Sequence, residues 1–269
     1  MIAADGTPLK PLDLEVGVIH VAQRYDFILV TNQPAGSYWI RAVMNTNCFS
    51  SDNPALNPDV FAILQYNTIS FAVPNTSAWD PVQDPICRDL NSSELIPLNP
   101  LPVLEPDLFV RFDLSFQPRG NSIDLAMVNG TSWVPLNGTN TLEIASNPTG
   151  NFSVQGVDTT DFDTRTQFVY SIPEIHTVEY MILTSTSAEI SFLLNNLDEG
   201  THPFHFHGHK FWIMVEGDGE YNESMPLAQF PPYRDTLAIQ GYGYALIRFV
   251  SDNPGAWICK HPTFDLISD

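Results

Sequence analysis

The sequence predicts an all-β protein built from Greek-key sandwiches or barrels. Three observations predict it. Short runs rich in Val, Ile, Phe and Tyr alternate with turn clusters at roughly 8–12-residue spacing. The 22 prolines in 269 residues leave little room for long helices. The 43% of apolar residues is enough to bury a sizeable core.

The first predicted strand is Val18–Val30, rich in β-branched and aromatic residues and closed by the turn cluster Thr31–Gly36. Ser37–Val43 and Val60–Tyr66 follow. From about Pro74 to Pro106 the periodicity lapses and Pro, Asp, Asn and Ser accumulate, which reads as a connection between two domains. Strands resume at Leu108–Leu114 and continue at Glu179–Leu183, Ala188–Leu194, Lys210–Val215 and Tyr244–Val250.

The 31 acidic residues outnumber the 11 basic ones and give a formal charge of -20. Such a field repels nucleic acid and anionic membrane, so neither is a partner. No run of 18 or more apolar residues offers a membrane span. Met1 leads into Ile2-Ala3-Ala4-Asp5-Gly6, without the basic region and apolar core of a secretory leader. Yet Asn-x-Ser/Thr acceptors occur at Asn75, Asn91, Asn129, Asn137, Asn151 and Asn222, which favours an extracellular glycoprotein. Secretion without a leader implies a missing N-terminus. Of three cysteines, Cys48 and Cys87 could pair in an oxidising compartment and leave Cys259 over; other pairings stay open.

Four of the seven histidines fall in His202-Pro203-Phe204-His205-Phe206-His207-Gly208-His209. Neutral imidazole is the commonest metal ligand near neutral pH. On a strand, His205, His207 and His209 would share one face. His202 precedes a proline, which favours an extended backbone and can aim its ring elsewhere. The segment can therefore serve two metal centres. The other readings are hydrogen-bonded histidines that bind nothing, and zinc, whose further ligands at short spacing are not nearby in sequence.

That segment resembles the His-Pro-x-His-x-His-Gly-His motif of multicopper oxidases. Gln23-Arg24-Tyr25-Asp26, Asn32–Ala42, Val128–Trp133, Pro231-Pro232-Tyr233-Arg234-Asp235-Thr236 and Asp252–Trp257 resemble segments of fungal laccases, so the similarity runs from residue 1 to about 258. The resemblance implies cupredoxin-like Greek-key domains, one partial and one nearly complete. Residues 1–73 would be the latter part of domain 2, 74–106 the connection, and 107–269 domain 3 with an aberrant tail at 259–269. A Cys48–Cys87 pair would fit a domain 2 disulfide of ascomycete-type laccases.

Position by position, the resemblance makes His202 a type 1 copper ligand, His205 a ligand of the type 2 copper and His207 of the type 3 pair. His209 matches a position that does not usually bind metal. The complete enzyme would oxidise phenol-like donors by single electrons at type 1 copper and reduce dioxygen to water at the trinuclear cluster. The alternative is a non-catalytic secreted copper-binding protein or an inactive truncated gene product.

The resemblance implies two further copper-binding motifs in a domain 1 that this sequence does not contain. It also places the type 1 cysteine four residues after Trp257, where this chain has His261, while Cys259 stands two residues after. Neither residue takes the role: Cys259 reads as a free thiol and His261 as incidental. Cys-Lys can be encoded TGT-AAG, which contains the common intron start GTAAG. The expectation is that residues from about Cys259 onward are translated intron and that Met1 is an internal start, which the transcript sequence tests.

Overall fold

The computed structural model describes residues 1–48, 54–66, 72–77, 87–118, 124–130, 169–172, 175–178, 180–183, 189–253 and 255–260. They belong to two compact units, one formed by residues 1–26 with 89–269 and the other by residues 27–88.

In the first unit the chain starts with a tight hairpin. Asp5 and Gly6 both adopt positive φ, 46° and 72°. Asp-Gly suits that geometry, because the acid tolerates the left-handed region and glycine meets no Cβ clash. The turn joins β1 (Ala3–Ala4) to β2 (Thr7–Pro8), with Ala4 opposite Thr7. On its other side β1 pairs antiparallel with β3 (Tyr25–Asp26). Met1, Ala4 and Leu9 bury a small cluster with Leu95. Backbone bonds from Lys10 to Ile96 and from Leu98 to Pro8 hold residues 95–98 against this N-terminal segment.

Of the predicted strand Val18–Val30, only Tyr25–Asp26 is strand. Apolar, β-branched composition signals a surface that fits a sheet, but a strand also needs a partner for its N–H and C=O groups. Phe27, Ile28, Leu29 and Val30 are instead more than half exposed.

The second unit holds β4 (Gly36–Val43) and β5 (Asp59–Tyr66), paired antiparallel from Gly36–Tyr66 to Val43–Asp59. Tyr38 contacts Tyr66, and Trp39 contacts Phe61. Such cross-strand aromatic pairs stabilise a ribbon. A disulfide joins Cys48 to Cys87, with Cα atoms 5.7 Å apart.

The rest of the first unit is a two-layer sandwich. Its strands, in order, are β6 (Leu108–Pro118), β7 (Asp124–Val128), β8 (Val169–Ile172), β9 (Ile175–Val178), β10 (Tyr180–Leu183), β11 (Glu189–Asn196), β12 (His202–Phe206), β13 (Phe211–Asp218), β14 (Tyr233–Arg234), β15 (Thr236–Ile239), β16 (Gly243–Val250) and β17 (Gly255–Lys260). One six-stranded sheet has the order β14-β13-β16-β11-β6-β7, and the other β15-β12-β17-β10-β9-β8. The pair β6–β11 is parallel and every other pair antiparallel.

Side chains two apart on a strand share a face, and the core follows that rule. Ile190, Phe192 and Leu194 of β11, Phe211 and Ile213 of β13, and Ala245, Ile247 and Phe249 of β16 point inward. They meet Phe204 and Phe206 of β12 and Leu237 and Ile239 of β15 from the opposite sheet. The alternate residues Leu193, Trp212, Met214, Tyr244 and Leu246 form a second cluster on the outer face of the first sheet. Strand β11 is buried along its whole length, as a central strand covered on both faces must be.

Candidate metal centre

Strand β12 carries the histidine motif and lies between β15 and β17. Its register sets His202 opposite Ile239 and His205 opposite both Thr236 and Lys260. Pro203 is accommodated within the strand, opposite Ala238. Alternation sends Phe204 and Phe206 into the core, so His205 must face the other way.

His202 sits at one end of the sandwich. Its ring stacks on Phe116 of β6, with centroids 4.3 Å apart and planes tilted by 22°. Its Nε2 lies 2.8 Å from the Asp198 carboxylate. Burial holds the His202 imidazole below its usual range, and the Asp198 contact only partly offsets this. For Asp198, burial pushes upward, but hydrogen bonds from His202 and the Gly200 amide leave it net lowered. The connecting loop is held by Asn196, which is 1% exposed. Its amide group donates to the carbonyls of Gly200, Ile239 and Gln240, and its carbonyl oxygen accepts from the Asp198 amide.

His205 faces residues 22–24 and 235–236. Its Nδ1 lies 2.8 Å from Thr236 Oγ1 and 3.0 Å from the Asp235 carbonyl oxygen. Arg24 grips the Asp235 carboxylate at both oxygens, each at 2.6 Å. Burial alone would raise the Asp235 carboxyl, yet the bonds from Arg24, His205 and Thr236 hold it well below the usual carboxylate range.

Strand β12 ends at Phe206, and the chain turns at His207-Gly208, where Gly208 has φ 74°. The expected shared face of His205, His207 and His209 is therefore broken: two-residue alternation holds only while the strand lasts. His207 still meets His205, with ring centroids 4.8 Å apart. His209 is buried, stacks on Phe206 at 5.0 Å and contacts Phe249. Burial lowers its imidazole below the usual range. His205, His207 and His209 line a cleft of about 480 Å³ with Arg24, Lys210 and Asp235.

Behind the cleft lies a buried charge cluster. Arg234 is 1% exposed and donates from Nε to Asp5 at 2.7 Å and from Nη2 to the Tyr25 hydroxyl at 3.1 Å. Gln23 donates to Asp89, which also accepts from the amides of Leu90 and Ala238. The segments Gln23–Asp26 and Tyr233–Thr236, apart in sequence, thus interlock behind His205.

Among the described residues, no group of three or more His, Cys, Asp or Glu side chains could by itself hold a metal ion. The donor set fits a share of a centre: two adjoining imidazoles at one cleft, and a third histidine aimed elsewhere. Of the sequon asparagines, Asn75, Asn91, Asn129 and Asn222 are exposed, while Asn137 and Asn151 lie outside the described residues. The Asn129 side chain is already committed, accepting from the Asp113 amide and donating to the Arg111 carbonyl. Sequence reasoning missed Asp198, Asn196 and the Arg24–Asp235 fork. Arg24 and Asp235 stand in laccase-like segments, but nothing in the sequence joins them.

Two family models, both for multicopper oxidases, match residues 1–68 and 133–261. The chain is 30% identical to Oxidoreductase OpS5 of Beauveria bassiana, over 96% of this chain and 40% of that protein. It is also 30% identical to Laccase-5 of Trametes villosa, over 96% of this chain and 44% of that one. The solved laccase of Botrytis aclada superposes with a TM-score of 0.70 at 28% identity, over 95% of this chain and 43% of that one. The chain thus spans less than half the length of these relatives. Matched by multicopper oxidase models over residues 1–68 and 133–261, and similar along nearly all its length to a laccase-type set of proteins, the chain belongs to the multicopper oxidase family.

Proposed function

We propose that this chain is the copper-binding latter part of a laccase-type oxidoreductase, with His205 and His207 as ligands of the trinuclear site and His202 as a ligand of the type 1 site. The observation that carries the reading is the division of the motif's histidines between two directions. His205 and His207 adjoin at the cleft, and His202 lies against Phe116 and Asp198. Copper held there would supply one-electron exchange between a phenol-like donor and dioxygen.

The chain's own residues prepare the ligands. A carbonyl oxygen only accepts, so the Asp235 contact keeps the His205 proton on Nδ1 and leaves Nε2 to bind. The Asp198 carboxylate accepts from Nε2–H of His202, so Nδ1 is the nitrogen with which His202 would ligate. Burial keeps the His202 ring neutral, the form that binds metal. Phe116 covers one face of that ring and keeps water from it.

Under the same reading, residues 1–73 belong to domain 2, 74–106 to the connection and 107–269 to domain 3. The protein acts outside the cell, with glycans on exposed acceptors such as Asn75 and Asn222. No helix among the described residues is long and apolar enough to cross a membrane. The test is oxygen uptake with a phenol by the copper-loaded product of the complete transcript. Uptake that stops in both His205→Ala and His207→Ala supports the reading. Uptake unchanged in either variant refutes it.

A further inference from the structure

We infer that Arg24 is a positioning residue for His205: its grip on Asp235 fixes which imidazole nitrogen carries the proton and where the other one points. The inference rests on the copper reading only in naming Nε2 of His205 as the ligand. The contacts behind the ring stand without it.

Three acceptors surround His205 Nδ1. They are the Asp235 carbonyl at 3.0 Å, Thr236 Oγ1 at 2.8 Å and the Asp235 carboxylate at 3.5 Å. An Nδ1 without its proton would set a lone pair against a carbonyl and a carboxylate. The Thr236 hydroxyl resolves its own orientation, because it donates to the Asp235 carboxylate at 2.8 Å and so accepts from Nδ1. The Nδ1–H form satisfies all these groups at once, and the Nε2–H form does not.

What keeps Asp235 in place is Arg24. The guanidinium meets both carboxylate oxygens at 2.6 Å, the paired geometry in which arginine is most directional. The same side chain donates to the Ala22 carbonyl at 3.0 Å. Ala22 has φ 67°, a region that disfavours residues with a Cβ, so the turn that delivers Arg24 needs such fastening. Asp5 secures the strap from behind, accepting from the Arg24 amide at 2.9 Å and from Arg234 at 2.7 Å. Arg24 touches no reacting group. It acts through Asp235 and Thr236.

The test reads the proton directly, on the metal-free ¹⁵N-labelled full chain at about pH 8, where ordinary imidazoles are neutral. Long-range imidazole ¹H–¹⁵N spectra report the tautomer, and the His205 signal is identified by its loss in His205→Gln. Wild type is expected to show His205 as one Nδ1–H tautomer. Arg24→Ala is expected to give a mixture, with His209 unchanged. Arg24→Lys keeps the charge and loses the paired contact, and is expected to fall between the two. Should Arg24→Ala fail to give a dispersed amide spectrum, Arg24→Lys decides. A wild-type Nε2–H tautomer, or a His205 signal unmoved by substitution of Arg24, overturns the inference.

Copper(II) titration of the same samples separates the two proposals. A fall of about tenfold in affinity for Arg24→Ala, typical of losing an outer partner of a ligand, supports both. Correct tautomers in a chain that binds no copper sink the copper reading and leave the positioning role standing.

Discussion

Replacing Asp5 by Asn removes one negative charge and almost no volume, at a site where both ion-pair partners are 1% exposed. The substitution leaves the hairpin intact, because Asn tolerates the φ of 46° at this position as well as Asp does. What it strands is the Arg234 guanidinium, whose Nε lies 2.7 Å from the lost charge. Breaking one side of a buried pair costs about 3–5 kcal/mol, because the remaining ion loses its hydrogen-bonded counter-charge where water does not replace it. The Tyr25 ring, 5.1 Å from the guanidinium carbon, compensates in part, which places the expected loss near the lower end, about 3 kcal/mol. For a unit of this size each kcal/mol moves the melting temperature by about 2–4 °C, so Asp5→Asn should melt about 6–12 °C below wild type. Differential scanning calorimetry measures the shift. The companion Asp5→Asn/Arg234→Met, which strands no charge, should recover part of it. A single variant melting within about 1 °C of wild type, or a double variant less stable than the single by the full cost of a second independent loss, would refute the reasoning.

Other substitutions test other parts of the fold. Asn196→Ala should cost about 3 kcal/mol, because it abandons one buried and two half-buried carbonyls, and amide exchange should quicken at Asp198 and Tyr242; unchanged exchange there would count against the clamp. Burial, reinforced by Asp89, raises the Glu216 carboxyl against the Ser92 hydrogen bond. A raised folded-state pKa gives stability that is complete below the unfolded value of about 4.3 and is lost as pH rises through the folded value. Urea melts from acid to neutral pH should therefore show a flatter profile for Glu216→Gln than for wild type, and identical profiles would contradict this. Reducing Cys48–Cys87, 39 residues apart in sequence, should destabilise the unit of residues 27–88 by about 4 kcal/mol. Proteolysis there should quicken, whereas equal cleavage with and without reductant would argue against a stabilising bridge.

The strands that carry the sandwich were legible where an apolar, β-branched run is bounded by turn residues. Strands β6, β13 and β16 begin within a residue of their apolar runs, because each such run has a sheet neighbour. Val18–Val30 has the same composition and mostly lacks the neighbour, which composition cannot report. The histidine motif marked the strand, and Pro203 allowed the His202 ring a direction of its own. It missed the end of the strand at Phe206, beyond which the His209 ring stacks on Phe206. The residues that aim the ligands were not legible. Arg24 and Asp235 are 211 residues apart, and only the folded chain sets one behind the other. Asp198 is four residues from His202, yet a lone acid in a loop carries no pattern that marks it as an imidazole's partner.

The central claim is that His205 and His207 together present imidazole nitrogen to copper at one cleft. Electron paramagnetic resonance of the chain carrying one equivalent of copper(II) tests it most directly. The expected signal carries nitrogen hyperfine structure that changes in His205→Gln and in His207→Gln and is lost in the double variant. A spectrum that survives the double substitution unchanged would place the metal elsewhere and contradict the account.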